Sequence, residues 1–458
     1  MQGEVKNDFT KGAMWQVILR MAIPMLLAQL VNVLYSVVDR MYIGHMEGIG
    51  SLALTGLGLT MPIVSIIGAF ACLCGTGGGP LCSIARGEGR LDYAEKIMGN
   101  AFTLLLALSA VLTAAFLLFT EPILYAFGAS DDTYVYASGY VRIYILGTVF
   151  VMLSIGMNYF INAQGFAKTG MLTVAIGAII NILLDPIFIF ALDLGIAGAA
   201  TATVIAQACS AAWCMRFLLS DKAILELRLR NMLPDWGVLR RILALGTTGF
   251  VMNITNGIVQ IAYNMQLQTF GGDVYIGAMT VINSVREVLF MIVHGLTTGS
   301  QPVMGYNYGA RRYDRVKEGV RFVTLISLIY SAVVFTMIML LPETLAKVFN
   351  DDPSLIAVCV PAMRIYFCGF LFMSLQAAGQ CVFVGLGKSR QAVFFSLLRK
   401  VFIVVPLIFL LPRIPALGVS GVFWSEPVSD VLGGFACYLT MYFTLYRRLG
   451  KEDRLPAD

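Results

Sequence analysis

Charge is what this chain has least of. Only 13% of its 458 residues are Asp, Glu, Lys or Arg, against roughly 25% in ordinary soluble domains, while 58% are hydrophobic and mean hydropathy is +0.79. That balance excludes a soluble globular protein and points to a polytopic membrane protein. Histidine is scarce too, with two residues, and neither an HExxH nor a GxSxG pattern occurs. No convergent catalytic set supports an enzyme, and no cofactor is expected. The nine cysteines contain no CxxC and no Cys/His metal spacing, so they read as small core residues, not a disulfide framework. The excess of basic residues, net +5, sits in short connections between apolar runs, as in loops facing lipid headgroups, so nucleic acid is not an expected partner.

Long apolar runs are what the chain has instead. A spanning helix takes about twenty apolar residues, and about twelve such runs start near Trp15, Leu52, Ala94, Tyr134, Thr169, Ile196, Gly237, Tyr275, Val316, Ser354, Gln391 and Leu417. The first follows a mostly polar opening without a small-residue cleavage site, so it reads as a span and not as a removed signal. Alternate connections carry the positive charge, including Arg86/Arg90/Lys96, Lys222/Arg228/Arg230/Arg240/Arg241, Arg311/Arg312/Arg315/Lys317 and Lys388/Arg390. The intervening ones carry His45/Glu47, Glu121/Asp131/Asp132, Asp193, Asp273 and Glu343/Asp351/Asp352. By the positive-inside rule both termini are expected on the cytoplasmic side.

The chain also repeats itself. At an offset of 222, Gly50 pairs with Gly272, Pro80 with Pro302, Arg142-Ile143-Tyr144 with Arg364-Ile365-Tyr366, and Gly147 with Gly369. At 220, Gly165 pairs with Gly385, Lys168 with Lys388, Pro186 with Pro406, and Gly198 with Gly418. The expected fold is therefore all-α, with twelve transmembrane helices in two pseudo-symmetric six-helix lobes. The lobes are expected over 1–220 and 237–446, with a cytoplasmic linker at 221–236 and a tail at 447–458. Six is even, so these are parallel repeats about an axis along the membrane normal, an architecture suited to alternating access.

Against this background the rare polar residues stand out. Asp185, within NILLDPIFIF, puts a carboxylate in a span, which costs about 2.5–3.5 kcal/mol on insertion scales. Asn181 lies one turn earlier on the same face, and Pro186 follows where a helix interior would bend. In the first span Gln29, Asn32, Ser36 and Asp39 form one stripe. Ser154, Asn158 and Asn162 recur at i+4 in the fourth span, and Thr203, Gln207 and Ser210 in the sixth. At the repeat positions of Asp39, Asn181 and Asp185 the second lobe has Ile261, Val401 and Val405. Its own polar lines are Asn253, Asn256, Gln260 and Asn264; Asn283, Glu287 and His294; and Gln376 with Gln380. Arg286, about 100° round the helix from Glu287, is a poor partner for it. Glu287 either contacts a cationic substrate or pairs with another helix, and His294 is either a core histidine or a proton carrier.

The two lobes, the early PMLLAQLVNVLYSVVDRMYIG, the NILLDPIFIF stretch and the paired PLCSIARGEG and GSQPVMGYNYGA segments resemble the multidrug and toxic compound extrusion (MATE) family over nearly the whole chain. The resemblance implies a twelve-helix antiporter in the bacterial cytoplasmic membrane that exchanges H⁺ or Na⁺ for organic, usually cationic, compounds. It is closest in pattern to the DinF-like branch, which implies a coupling site at Asp39, Asn181 and Asp185, with Asn158 and Thr203. The same three residues would ligate Na⁺ if sodium is the coupling ion. The expected substrate cavity adds Gln29, Asn32, Ser36, Asn162, Asn256, Gln260, Glu287, His294 and Gln376. The NorM-like branch instead has acids in spans seven and ten, where this chain has amides. Two carboxylates in low dielectric cannot both stay ionised cheaply, so the pair takes up a proton or holds a cation. Its neutralisation is expected to bend the first span near Pro24 and expel substrate. The protein is expected to act as a monomer. Other readings are a lipid-linked glycan flippase of the same superfamily, a membrane-embedded enzyme and a non-transporting receptor.

Overall fold

The computed structural model describes residues 8–44, 46, 50–127, 129–348 and 353–450. His45, Glu47, Asp351, Asp352, Lys451, Arg454 and most of the expected tail lie outside that range. Among the described residues the regular elements are all helical. They are α1 (Met14–Gly44), α2 (Gly50–Gly87), α3 (Leu91–Ala126), α4 (Asp131–Leu146), α5 (Thr148–Ala163), α6 (Ala167–Pro186), α7 (Gly195–Leu218) and α8 (Trp236–Phe270). The rest are α9 (Asp273–Gly309), α10 (Tyr313–Leu340), α11 (Pro342–Lys347), α12 (Pro353–Tyr366), α13 (Phe370–Gly385), α14 (Ser389–Leu397), α15 (Val405–Leu410) and α16 (Ser420–Met441). Among the described residues eleven segments are long and apolar enough to span a membrane, and α4 with α5, bent by 57°, makes a twelfth if the pair is counted as one span.

Two compact units emerge. One is Ile23–Phe250; the other joins Phe9–Ala22 to the chain from Val251 onward. The division falls inside α1, beside Pro24, and inside α8. The opening segment is stitched to the second unit by Arg315, which donates to the Phe9 and Gly12 carbonyls at 3.0 and 2.9 Å, and by Asn307, which donates to Phe9 at 3.2 Å. The linker is likewise clamped to the first unit. Gln164 Oε1 accepts from the Ile224 and Leu225 amides at 2.8 and 2.9 Å, and Asn100 Oδ1 accepts from the Asp235 amide at 2.7 Å. Lys96 pairs with Asp235 on the surface.

Small residues set how closely these helices approach, because lipid supplies no hydrophobic drive between them. In the first unit a Cβ on Gly77 of α2 would lie 2.1 Å from the Ile242 carbonyl oxygen of α8, so only glycine fits there. At the α4/α5 bend a Cβ on Gly147 would meet Val204 of α7 at 2.6 Å. Its repeat partner Gly369, between α12 and α13, is as tight, with Pro427 Cα 2.6 Å from the same point.

That geometry corrects part of the repeat. Gly165 and Gly387, with φ of +89° and +70°, make the same left-handed turn, and Gly198 against Phe188 matches Gly421 against Leu411. The offset therefore stays at 222–223 where composition suggested 220, since a positive φ is fixed by the backbone while a shared Lys or Pro is not. Pro186 then falls opposite Ile408 or Phe409 instead of Pro406, and Asp185 opposite Leu407 or Ile408 instead of Val405. Its counterpart is apolar either way.

Candidate functional site

The site is assembled in the first unit where α6 and α7 pack antiparallel. A Cβ on Gly177 would sit 2.4 Å from Ser210 Oγ, and that hydroxyl donates to the Thr173 carbonyl at 2.9 Å. Two turns along, this close approach brings Thr203 to Asn181. The Asn181 amide nitrogen donates to Asp185 Oδ1 and to Thr203 Oγ1, both at 3.2 Å, as the i+4 spacing within α6 requires for the first contact. Pro186 ends α6 as expected of a residue without an N–H, and the chain continues as a π-helical turn, Ile187–Ala191. Such turns recur at functional sites.

Asp39 of α1 faces Asp185 within side-chain interaction range. Tyr140 of α4 joins them: its hydroxyl meets Thr203 and lies near Asp39 and Tyr35. Asp185, Asn181, Thr203, Tyr140 and Asp39 are exposed by 0, 1, 3, 4 and 6%, so water is almost excluded. The groups acting on Asp185 are a second carboxylate and an amide. Such a pair is stable when a proton or a cation offsets one negative charge. Among the described residues no group of three His, Cys, Asp or Glu is arranged to hold a metal ion.

Other expected members lie elsewhere. Asn158 donates to the Gly170 carbonyl at 3.2 Å, and the Asn162 amide packs on the same glycine. Gly170 is eleven residues before Asn181, or roughly 16 Å at 1.5 Å per residue, so Asn158 does not join the carboxylates. This face of α5 meets α6 at its other end. Ser154 donates to Gln207 at 2.8 Å instead. Gln29 and Asn32 are exposed on α1, with Ser36 half-buried. In the second unit Asn283 donates to Gln260 at 2.8 Å, and Gln260 to Asn264 at 3.1 Å, with Asn256 exposed nearby. Glu287 and His294 are exposed on α9, and Gln376 is half-buried on α13. Gln380 is buried and donates to the Ala392 carbonyl and to Ser396.

Sequence reasoning passed over a second cluster. Glu426 of α16 lies 3.3 Å from Arg399, 3.2 Å from Lys400 and 3.9 Å from Arg286, and Arg399 also pairs with Asp430. Arg286 thus turns towards Glu426, as its poor placement for Glu287 implied. Arg399 and Lys400 interrupt an apolar run much as Asp185 does, and Glu426 and Asp430 are spaced i+4, so the same test would have found them.

The MatE family model matches the chain twice, over residues 24–187 and 249–410, one match for each half of the internal repeat. The chain belongs to the MatE family. It is therefore a multi-pass membrane transporter and not an enzyme. The multidrug export protein MepA of Staphylococcus haemolyticus (strain JCSC1435) is 27% identical over 454 residues, covering 96% of each chain. That of Staphylococcus aureus (strain NCTC 8325 / PS 47) is 25% identical over 465 residues, covering 100% of this chain and 98% of the relative. Among solved structures, a MATE protein in the bent conformation superposes with a TM-score of 0.92 at 21% identity, covering 98% of both chains. An outward-facing multidrug resistance MATE transporter gives 0.90 at 21%, covering 98% of this chain and 99% of that one. These likenesses confirm the all-α, two-lobe MATE fold.

Proposed function

We propose that this MatE protein is a cation-coupled antiporter that exports organic, mostly cationic, drugs or toxic compounds. The observation that carries the reading is the dry pairing of Asp39 with Asp185, supported by Asn181 and Thr203, inside spanning helices. A buried intramembrane acid pair suits a coupling site by its energetics, since a proton or cation taken from solution can offset one of its charges. Export by the MepA relatives supports the substrate class, as do the exposed Gln29, Asn32, Asn256 and Glu287 within apolar spans.

The hydrogen bonding favours H⁺ over Na⁺ as the coupling ion. The Asn181 group turned towards Asp185 is an N–H donor, not an oxygen ligand. A proton needs only the two carboxylates, whereas a metal cation needs several converging oxygens. In this reading protonation removes the repulsion between Asp39 and Asp185, α1 changes its bend beside Pro24, and substrate leaves outwards while the two units alternate access. The protein acts as a monomer in the bacterial cytoplasmic membrane, with both termini cytoplasmic by its charge pattern.

The test is uptake of a fluorescent organic cation into inverted vesicles under an imposed pH gradient or an imposed Na⁺ gradient. A pH gradient alone should drive it. Uptake under Na⁺ alone would reverse the choice of ion, and none under either would favour the flippase reading.

A further inference from the structure

We infer that the second unit holds an anion-binding subsite, in which Arg286 and Lys400 receive a single carboxylate or a free monovalent anion. The observation is a charge imbalance beside a cleft. Three cations, Arg286, Arg399 and Lys400, gather round two carboxylates, Glu426 and Asp430. Both carboxylates are already engaged. Glu426 Oε1 accepts from Arg399 and Lys400, and its Oε2 accepts from the Tyr263 hydroxyl at 3.2 Å. Asp430 takes the Arg399 guanidinium. Arg286 approaches Glu426 only at 3.9 Å, beyond hydrogen-bond reach, and its Nε has no partner. Lys400 has three N–H donors, and one of them goes to Glu426.

Arg286 and Lys400 line a small cleft of about 10 Å³, room for about one water-sized guest, with Glu426 also in its wall. Asn256, Gln260, Asn283 and Tyr366 complete its wall. Arg286 keeps 31% of its side chain exposed, so the cleft is reachable, while Lys400 and Glu426 keep 11% and 1%. One more cation than anion, beside a cleft walled by Arg286 and Lys400, is satisfied by a guest that accepts hydrogen bonds and carries one negative charge. The carboxylate of a zwitterionic cargo fits that description, and so does chloride. The first source rests on the export proposed above; the second does not.

The experiment uses the full-length protein and a matched pair of probes, rhodamine B, which carries a free carboxylate, and its ethyl ester, which does not. Their export is compared in proteoliposomes for the wild type, Arg286→Gln and Arg286→Lys. The melting temperature of each purified protein is measured in chloride and in gluconate. The expected result is a fall in the acid-to-ester export ratio of roughly tenfold or more in Arg286→Gln, as for loss of a charge-assisted hydrogen bond, with partial rescue by Lys. Chloride should raise the melting temperature of the wild type by about 2–4 °C and that of Arg286→Gln by less. A chloride response without any acid preference assigns the subsite to free anions. Ester export with neither response in the wild type overturns the inference. Export of neither probe alongside a chloride response refutes the transport reading and leaves the subsite standing.

Discussion

Asp185→Asn separates the coupling role of the acid pair from any structural one. The replacement keeps the shape, and its amide oxygen can still accept from Asn181 Nδ2, as Asp185 Oδ1 does at 3.2 Å. It also removes a fully buried charge that faces Asp39. Two buried carboxylates that face each other repel when both are ionised, so the variant should melt at or above the wild-type temperature. Transport should respond in the opposite sense. One H⁺ exchanged for one monovalent organic cation moves no net charge, so the drive is the pH gradient, and each pH unit supplies about 1.4 kcal/mol, or roughly tenfold accumulation. Without the titrating group that drive is lost, and the accumulation ratio of a fluorescent organic cation in proteoliposomes under a one-unit pH gradient should fall from roughly ten towards about one. Asp39→Asn should behave alike. A folded Asp185→Asn protein that still accumulates the dye at the wild-type ratio would refute the reasoning, and a sharply lower melting temperature would recast Asp185 as structural.

The same chemical change at Glu426 should do the reverse to stability. Glu426→Gln strands Arg286, Arg399 and Lys400 with one carboxylate, at a cost of about 3–5 kcal/mol, seen as a lower melting temperature in detergent. Gly77→Ala should prevent close packing of α2 on α8, because the added carbon meets a carbonyl oxygen 2.1 Å away; a loss of about 1–3 kcal/mol or failed expression is expected, against no change if the helices slide apart freely. In the linker, the Lys96 ammonium and the Val238 amide hold the Asp235 carboxyl below its ordinary pKa. Its stabilising effect is thus present above about pH 4 and lost as pH falls through the lower folded value. Protection factors across 224–238, which correct for the slower intrinsic exchange at low pH, should fall on acidification in the wild type, and those of Asp235→Asn should be low at every pH.

What the sequence revealed of this molecule follows from which costs can be seen one residue at a time. Asp185 was legible because a charge in an apolar run is expensive wherever the chain goes, and Asn181 because i+4 spacing is a local fact. The twelve spans were legible for the same reason, since hydropathy needs no partner. Tyr140 was not, because a tyrosine in a membrane helix carries no penalty that calls attention to it, and its place beside Thr203 and Asp39 depends on how α4, α7 and α1 meet. Asn158 failed in the opposite way: its stripe was real, but the stripe does not say at which end of α6 it docks.

Glu426 tests the idea most sharply, because it carries the same signal as Asp185 and has the opposite meaning. A buried acid states a cost, and only its neighbours tell how that cost is met. Around Glu426 the chain supplies three cations of its own, so its charge is balanced from within the protein. Beside Asp185 the chain places another acid, so a proton or cation taken from the surrounding solution eases the pair. Dependence on an outside ion is what lets a gradient act on the site, and it separates a coupling group from a structural one more reliably than depth in the membrane does.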